Sequence, residues 1–89
     1  MIDEHRADTI VKILETAQAN NGVTFTKLLE ESDLSEHPDI LKIYLSILAN
    51  NGFMAYDIAD GVYRTTHKGM KFSRSFSHTL NLLSNLENE

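Results

Sequence analysis

Four basic side chains lie close together in the second half of the sequence, where they could bind phosphate groups. They are Arg64, Lys68, Lys71 and Arg74, and no acidic residue occurs between the first and the last of them. The remainder of the chain is acidic, because residues 1–60 hold eleven acidic side chains against four basic ones and the formal net charge is −5. Since Lys and Arg neutralise phosphates, any contact with a nucleic-acid backbone should centre on this cluster.

A second set of side chains shares one face of a predicted helix. Leu41, Leu45 and Leu48 have the spacing of a buried helix face. The opposite face carries four candidate DNA contacts, namely Lys42, Ile43, Ser46 and Asn50. Short polar side chains contact base edges in the major groove, and Ile43 could contact a thymine methyl group. The same pattern also fits a solvated helix face or, because Ile43 is apolar, a surface that binds another protein.

The sequence offers no signature of an enzyme or of a metal site. It has no cysteine, no nucleophile motif and no phosphate-binding glycine loop. Its four histidines, His5, His37, His67 and His78, lack the spacing of metal ligands. We therefore predict neither a metal nor a cofactor. No apolar run is long enough for a membrane span, so we expect a soluble, cytoplasmic protein.

Apolar spacing and helix-ending signals predict four helices and one hairpin. In chain order, we predict helices at 3–20, 25–32 and 38–51, strands at 53–58 and 62–65, and a helix at 66–87. Thr24 can cap the second helix, and Pro38 suits the first turn of the third. The turn between the strands should be Ala59-Asp60-Gly61, in which Asp-Gly is a pair that favours hairpins.

The last predicted helix carries residues in the spacing of a coiled-coil seam. A helix of about twenty residues is about 30 Å long, so a domain this small covers only part of it. Its exposed apolar residues then need a second chain, and we predict a homodimer. The expected interface consists of Phe72, Phe76, Thr79, Leu80, Leu83 and Leu86.

These elements together predict an α+β fold that is mainly α. The order of helices and strands is that of a winged helix-turn-helix, with a three-helix core, a two-stranded wing and a long C-terminal helix. With 89 residues, the chain is long enough for one small domain. We expect residues 1–66 to form the winged helix-turn-helix domain and residues 67–89 to form the dimerisation helix, as one structural unit.

The sequence resembles archaeal winged helix-turn-helix regulators of the ArnR-like type. The resemblance lies in Leu41-Lys42-Ile43-Tyr44-Leu45, in Asn51-Gly52-Phe53, and in residues 61–69, which end with Thr66-His67-Lys68-Gly69. It extends from residue 7 to about residue 86. It implies DNA binding, and it implies that the C-terminal helices of two chains pair as an antiparallel coiled coil. Many relatives carry several basic residues on the third helix, whereas this chain has one.

The residues and the resemblance together predict a DNA-binding transcriptional regulator that acts as a homodimer on duplex DNA. The four candidate contacts on the third helix would enter the major groove, and Arg64, Lys68 and Lys71 would contact phosphates. One alternative is a winged-helix protein–protein interaction module in a transcription or assembly complex. Another is a regulator that responds to a small ligand bound near the dimer seam.

Overall fold

The structure, a computed structural model, describes the backbone of residues 4–87 and the side chains of residues 7–79, 81 and 82. In chain order its elements are α1 (Glu4–Thr16), α2 (Phe25–Glu31), α3 (Pro38–Asn50), β1 (Met54–Asp57), β2 (Val62–Thr65) and α4 (His67–Glu87). The predicted fold class is confirmed: the described chain is mainly helical and contains one small antiparallel sheet.

The core lies where α1, α2 and α3 meet. Its buried residues are Ile13, Leu14, Ala17, Leu28, Leu41, Leu45, Leu48 and Met54. The three leucines of α3 occupy one face of the helix, as their spacing predicted. Burial of this face fixes which residues of α3 point outward.

Two local signals position α2 and α3. The hydroxyl of Thr24 accepts a hydrogen bond from the backbone N–H of Lys27 at 3.2 Å, and it thereby caps the start of α2. Pro38 occupies the first turn of α3, where its missing N–H leaves no hydrogen bond unmade. Both predictions are confirmed.

Helix α1 ends at Thr16, four residues before its predicted end. The reason is a tertiary contact with the end of β2. The hydroxyl of Thr65 donates a hydrogen bond to the carbonyl oxygen of Leu14 at 2.6 Å. The backbone N–H of Thr65 donates to the carbonyl oxygen of Ala17 at 3.0 Å. These bonds satisfy carbonyl groups that the end of a helix leaves without partners.

Strands β1 and β2 pair in antiparallel register, with Met54 opposite Thr65 and Asp57 opposite Val62. The predicted turn is part of a four-residue loop, 58–61, in which the N–H of Gly61 donates to the carbonyl of Asp57 at 2.7 Å. Gly61 has a φ of 65°, whereas Asp60 is not in the left-handed region. The two-residue Asp-Gly turn of a tight hairpin is therefore absent, since that turn needs positive φ at both residues.

The start of α4 is fastened to the segment that follows α3. The hydroxyl of Thr66 donates to the carbonyl of Gly52 at 2.6 Å and accepts from the N–H of Gly69 at 3.0 Å. The second bond makes Thr66 the N-cap of α4, as predicted. Thr66 also donates its backbone N–H to the carbonyl of Phe53 at 2.9 Å. The end of α3 and the start of α4 therefore form one hydrogen-bonded joint.

Gly69 is the residue in this joint that has no room for a side chain. A Cβ atom there would overlap the carbonyl oxygen of Phe53 and would lie 2.8 Å from Cγ2 of Thr65. Backbone atoms form much of this contact, so a rotamer change cannot relieve it. The close approach of α4 to the segment after α3 therefore requires glycine.

We predict that Gly69→Ala destabilises the protein, although the same change within an ordinary helix stabilises it by about 1 kcal/mol. The expected loss is about 3 kcal/mol, because the added methyl group overlaps backbone atoms. Gly61→Ala is the control, since its Cβ would meet only the Tyr56 hydroxyl, at 3.8 Å, and the positive φ should cost about 1 kcal/mol. Urea unfolding measures both, and a Gly69→Ala variant as stable as the wild type would contradict the prediction.

Candidate nucleic-acid interface

The outward face of α3 displays the residues that the sequence marked as base contacts. The side chains of Lys42, Ile43, Ser46 and Asn50 are all exposed. Asp39 is exposed in the first turn of the same helix. The structure therefore brings the four candidate contacts together on one surface of α3.

The edge of α3 that faces the hairpin borders a shallow groove of about 530 Å³. Lys42, Ser46 and Ala49 line it from α3, while Tyr56 and Tyr63 line it from the strands. The two tyrosine rings are directly opposite in the β1–β2 register and lie 4.7 Å apart. Lys42 and Ser46 are thus on the hairpin side of α3.

Two exposed isoleucines on α3 were missed by the sequence analysis. Ile40 and Ile47 are 38% and 53% exposed, and Ile43 between them is 60% exposed. Residues separated by three and four positions share a helix face, so we call Ile40, Ile43 and Ile47 the isoleucine ridge. Helical spacing alone would have identified it, because these positions lie away from the buried leucines.

Arg64 is paired with acidic side chains of its own hairpin. Its guanidinium nitrogen Nη1 lies 2.7 Å from Oδ2 of Asp57, and Nη2 lies 3.8 Å from Oδ2 of Asp60. The hydrogen bond from Arg64, together with one from the backbone N–H of Asp60, lowers the pKa of Asp57. Asp57 is therefore ionised at neutral pH, and a phosphate must compete with it for Arg64.

Lys68 also has an intramolecular partner. Its ammonium donates to the carbonyl of Asn51, just after α3, at 3.0 Å, and it lies 5.3 Å from the centre of the Phe53 ring. A cation at this position is favourable because carbonyl groups at a helix end carry partial negative charge. Lys68 is nevertheless exposed, so its ammonium is accessible from solvent while it holds the end of α3.

Lys42, Lys71 and Arg74 are exposed, and none of them forms an ion pair with another described side chain. Arg74 borders a polar groove of about 590 Å³ that also includes Glu15 of α1 and His78 of α4. Among the described residues, the lysines and arginines without a carboxylate partner are thus on α1, where Lys12 lies, and on α3 and α4, rather than on the hairpin.

The predicted dimer residues on α4 divide into two groups. Phe72 and Phe76 are half-buried and Thr79 is exposed. Phe72 stacks on Phe53 with ring centroids 4.3 Å apart, and Phe76 follows at 5.3 Å from Phe72. The side chains of Leu80, Leu83 and Leu86 lie outside the described residues.

No group of three or more potential metal ligands occurs within the described part of the chain. In the same part, no helix combines the length and apolar character that crossing a membrane requires.

Comparison with known proteins identifies a family. A family model described as winged helix-turn-helix matches residues 5–84, which include all of the helices and strands except the first residue of α1 and the last three of α4. No curated protein and no solved structure matches significantly. The match spans most of the chain and agrees with the order of the elements, so the chain belongs to the winged helix-turn-helix family.

Proposed function

We propose that the protein is a transcriptional regulator that binds duplex DNA as a homodimer, similar to small archaeal regulators of the ArnR-like type. In this proposal α3 enters the major groove, while the β1–β2 wing and the start of α4 contact the flanking phosphates. The observation that carries the proposal is the outward face of α3. It presents Lys42, Ile43, Ser46 and Asn50 in a chain of the winged helix-turn-helix family.

We propose unequal roles for the basic residues, on the basis of their contacts within the chain. Lys42 and Lys71 are exposed and free of carboxylates among the described side chains, so both can contact phosphates directly. Lys68 can do so while its ammonium stays at the end of α3. Arg64 contributes only when phosphate displaces Asp57. We therefore propose weak to moderate affinity with few phosphate contacts.

The experiment that tests the proposal is a salt titration of binding to a mixed-sequence duplex. Each phosphate that a Lys or Arg neutralises steepens the logarithmic salt dependence by about 0.9. We expect Lys71→Ala to weaken binding and to reduce this slope by about 1 per bound protomer. Lys12→Ala is the matched control, because Lys12 is an exposed lysine on α1 and should leave the slope unchanged. Equal slopes for the two variants would contradict the assignment of Lys71.

The Arg64–Asp57 pair leads to a second prediction. Asp57→Asn removes the carboxylate that binds the guanidinium at 2.7 Å, so Arg64 becomes available to phosphate. We expect stronger DNA binding and a salt slope steeper by about 0.9 per protomer. Asp8→Asn is the control, because Asp8 is an exposed residue of α1 and the substitution changes the net charge by the same amount. If both variants gain equally, the effect comes from overall charge and Arg64 does not contact phosphate.

A second candidate function is a protein-interaction module in a transcription or assembly complex. The isoleucine ridge favours it, because exposed apolar patches are typical of protein-binding surfaces. The negative net charge of the chain also disfavours nucleic acid as a partner. Absence of duplex binding even at low salt would support this candidate and contradict the first.

The homodimer is supported by the seam spacing of α4 and by its half-exposed aromatic residues. Phe72, Ser75, Phe76 and Thr79 border a shallow groove of about 340 Å³. The helix has 21 residues, which corresponds to about 31 Å at the standard rise. We propose that the α4 helix of a second chain covers this face, with Leu80, Leu83 and Leu86 in the same interface.

We predict that Thr79→Asp converts the dimer to a monomer, because it places a charge in the proposed seam, where it would be desolvated. The matched control is Asn81→Asp, which adds the same charge two residues later on a different side of α4. Both positions are exposed within the protomer, so neither change should unfold it. Sedimentation measures the outcome. A wild type that is already monomeric at all concentrations would contradict the dimer.

A further inference from the structure

The isoleucine ridge is an apolar surface on α3, the helix that the proposal places in the major groove, and Ile43 is both a ridge residue and a candidate base contact. Isolated exposed apolar residues are ordinary in proteins. Ile40, Ile43 and Ile47 are instead three neighbours on one helix face, and each is more than a third exposed. Leu41, Leu45 and Leu48 complete the core from the opposite side, so packing within the chain does not require the ridge.

The polar residues of the same face favour one kind of base pair. Asparagine forms two hydrogen bonds with the major-groove edge of adenine, whereas arginine is a common partner of guanine. The outward face of α3 includes Asn50 and Ser46, and α3 contains no arginine. Thymine is the DNA base with a methyl group in the major groove, and apolar side chains contact it. Isoleucine and asparagine therefore fit the two halves of an A·T pair.

The length of the ridge matches a short run of base pairs. Ile40 and Ile47 are seven positions apart, which corresponds to about 10 Å along a helix. Successive bases on one DNA strand are about 3.4 Å apart. The ridge thus spans about three base steps, enough to meet methyl groups of adjacent pairs.

We propose that the isoleucine ridge contacts thymine methyl groups in the major groove, so that the protein prefers duplex DNA rich in A·T pairs. This inference rests on the DNA-binding function proposed above and adds its sequence preference. Specificity then comes mainly from apolar contact, which needs no positive charge. Recognition by apolar contact is therefore compatible with α3, in which Lys42 is the single basic residue.

The test compares two duplexes that differ only in the thymine methyl group. One has alternating A·T pairs, and the other has deoxyuridine in place of every thymidine. Burial of one methyl group is worth about fourfold in affinity, so two contacts should make the uridine duplex bind on the order of tenfold more weakly. Both titrations use the full chain at the same salt concentration, because salt alone shifts affinity.

Two variants connect the methyl effect to the ridge. Ile43→Ser should reduce binding to the thymidine duplex and leave a difference of about fourfold between the duplexes, because Ile40 and Ile47 remain. Ile58→Ser is the matched control for this difference, because Ile58 is 87% exposed in the hairpin loop, which the proposal places at phosphates and not at base methyl groups. That variant should keep the full difference. Circular dichroism confirms that both variants are folded.

Each result bears on a different proposal. Equal binding of the two duplexes by the wild type would overturn methyl recognition and leave DNA binding intact. An undiminished difference in Ile43→Ser would come from duplex shape and would also overturn it. No binding to either duplex, or to mixed-sequence DNA, would overturn the DNA-binding function itself, and the ridge would then be a protein-binding surface.

Discussion

The structure depends on the hydrogen bonds of two consecutive residues, Thr65 at the end of β2 and Thr66 at the N-cap of α4. Thr65 donates to the carbonyls of Leu14 and Ala17 in and after α1, and Thr66 donates to those of Gly52 and Phe53 after α3. Two consecutive residues therefore hold the ends of α1 and α3 by hydrogen bonds. These bonds fix the position of α3 relative to the wing, and thus the surface that α3 presents to a partner.

Electrostatics makes this protein an unusual candidate for DNA binding. Its net charge is −5, and one basic residue of the wing is bound to Asp57 at 2.7 Å. Few cations remain for phosphates, so long-range attraction to DNA should be weak. A preference for particular sequences must then arise at close range, from hydrogen bonds and apolar contacts on α3. The exposed isoleucines can supply apolar contacts, which do not require positively charged side chains.

Much of the fold could be predicted from spacing, because helix periodicity identified the buried leucines of α3 and local signals marked Thr24, Pro38 and Thr66 as helix starts. The tertiary contacts could not. The pairing of Arg64 with Asp57 depends on the hairpin loop that brings residues seven positions apart together. The early end of α1 depends on Thr65, far along the chain. In Thr66-His67-Lys68-Gly69, the motif was visible, but the lack of space at Gly69 was not.

The central claim is that α3 and the adjacent basic residues form the DNA-binding surface of an otherwise acidic protein. Backbone NMR during titration with duplex DNA tests it most directly. We predict that the largest amide shifts occur on the outer face of α3, at Lys42, Ile43 and Ser46, and in residues 64–71, while α1 around Lys12 is unaffected. Shifts that concentrate on α1, or no shifts at low salt, would contradict it.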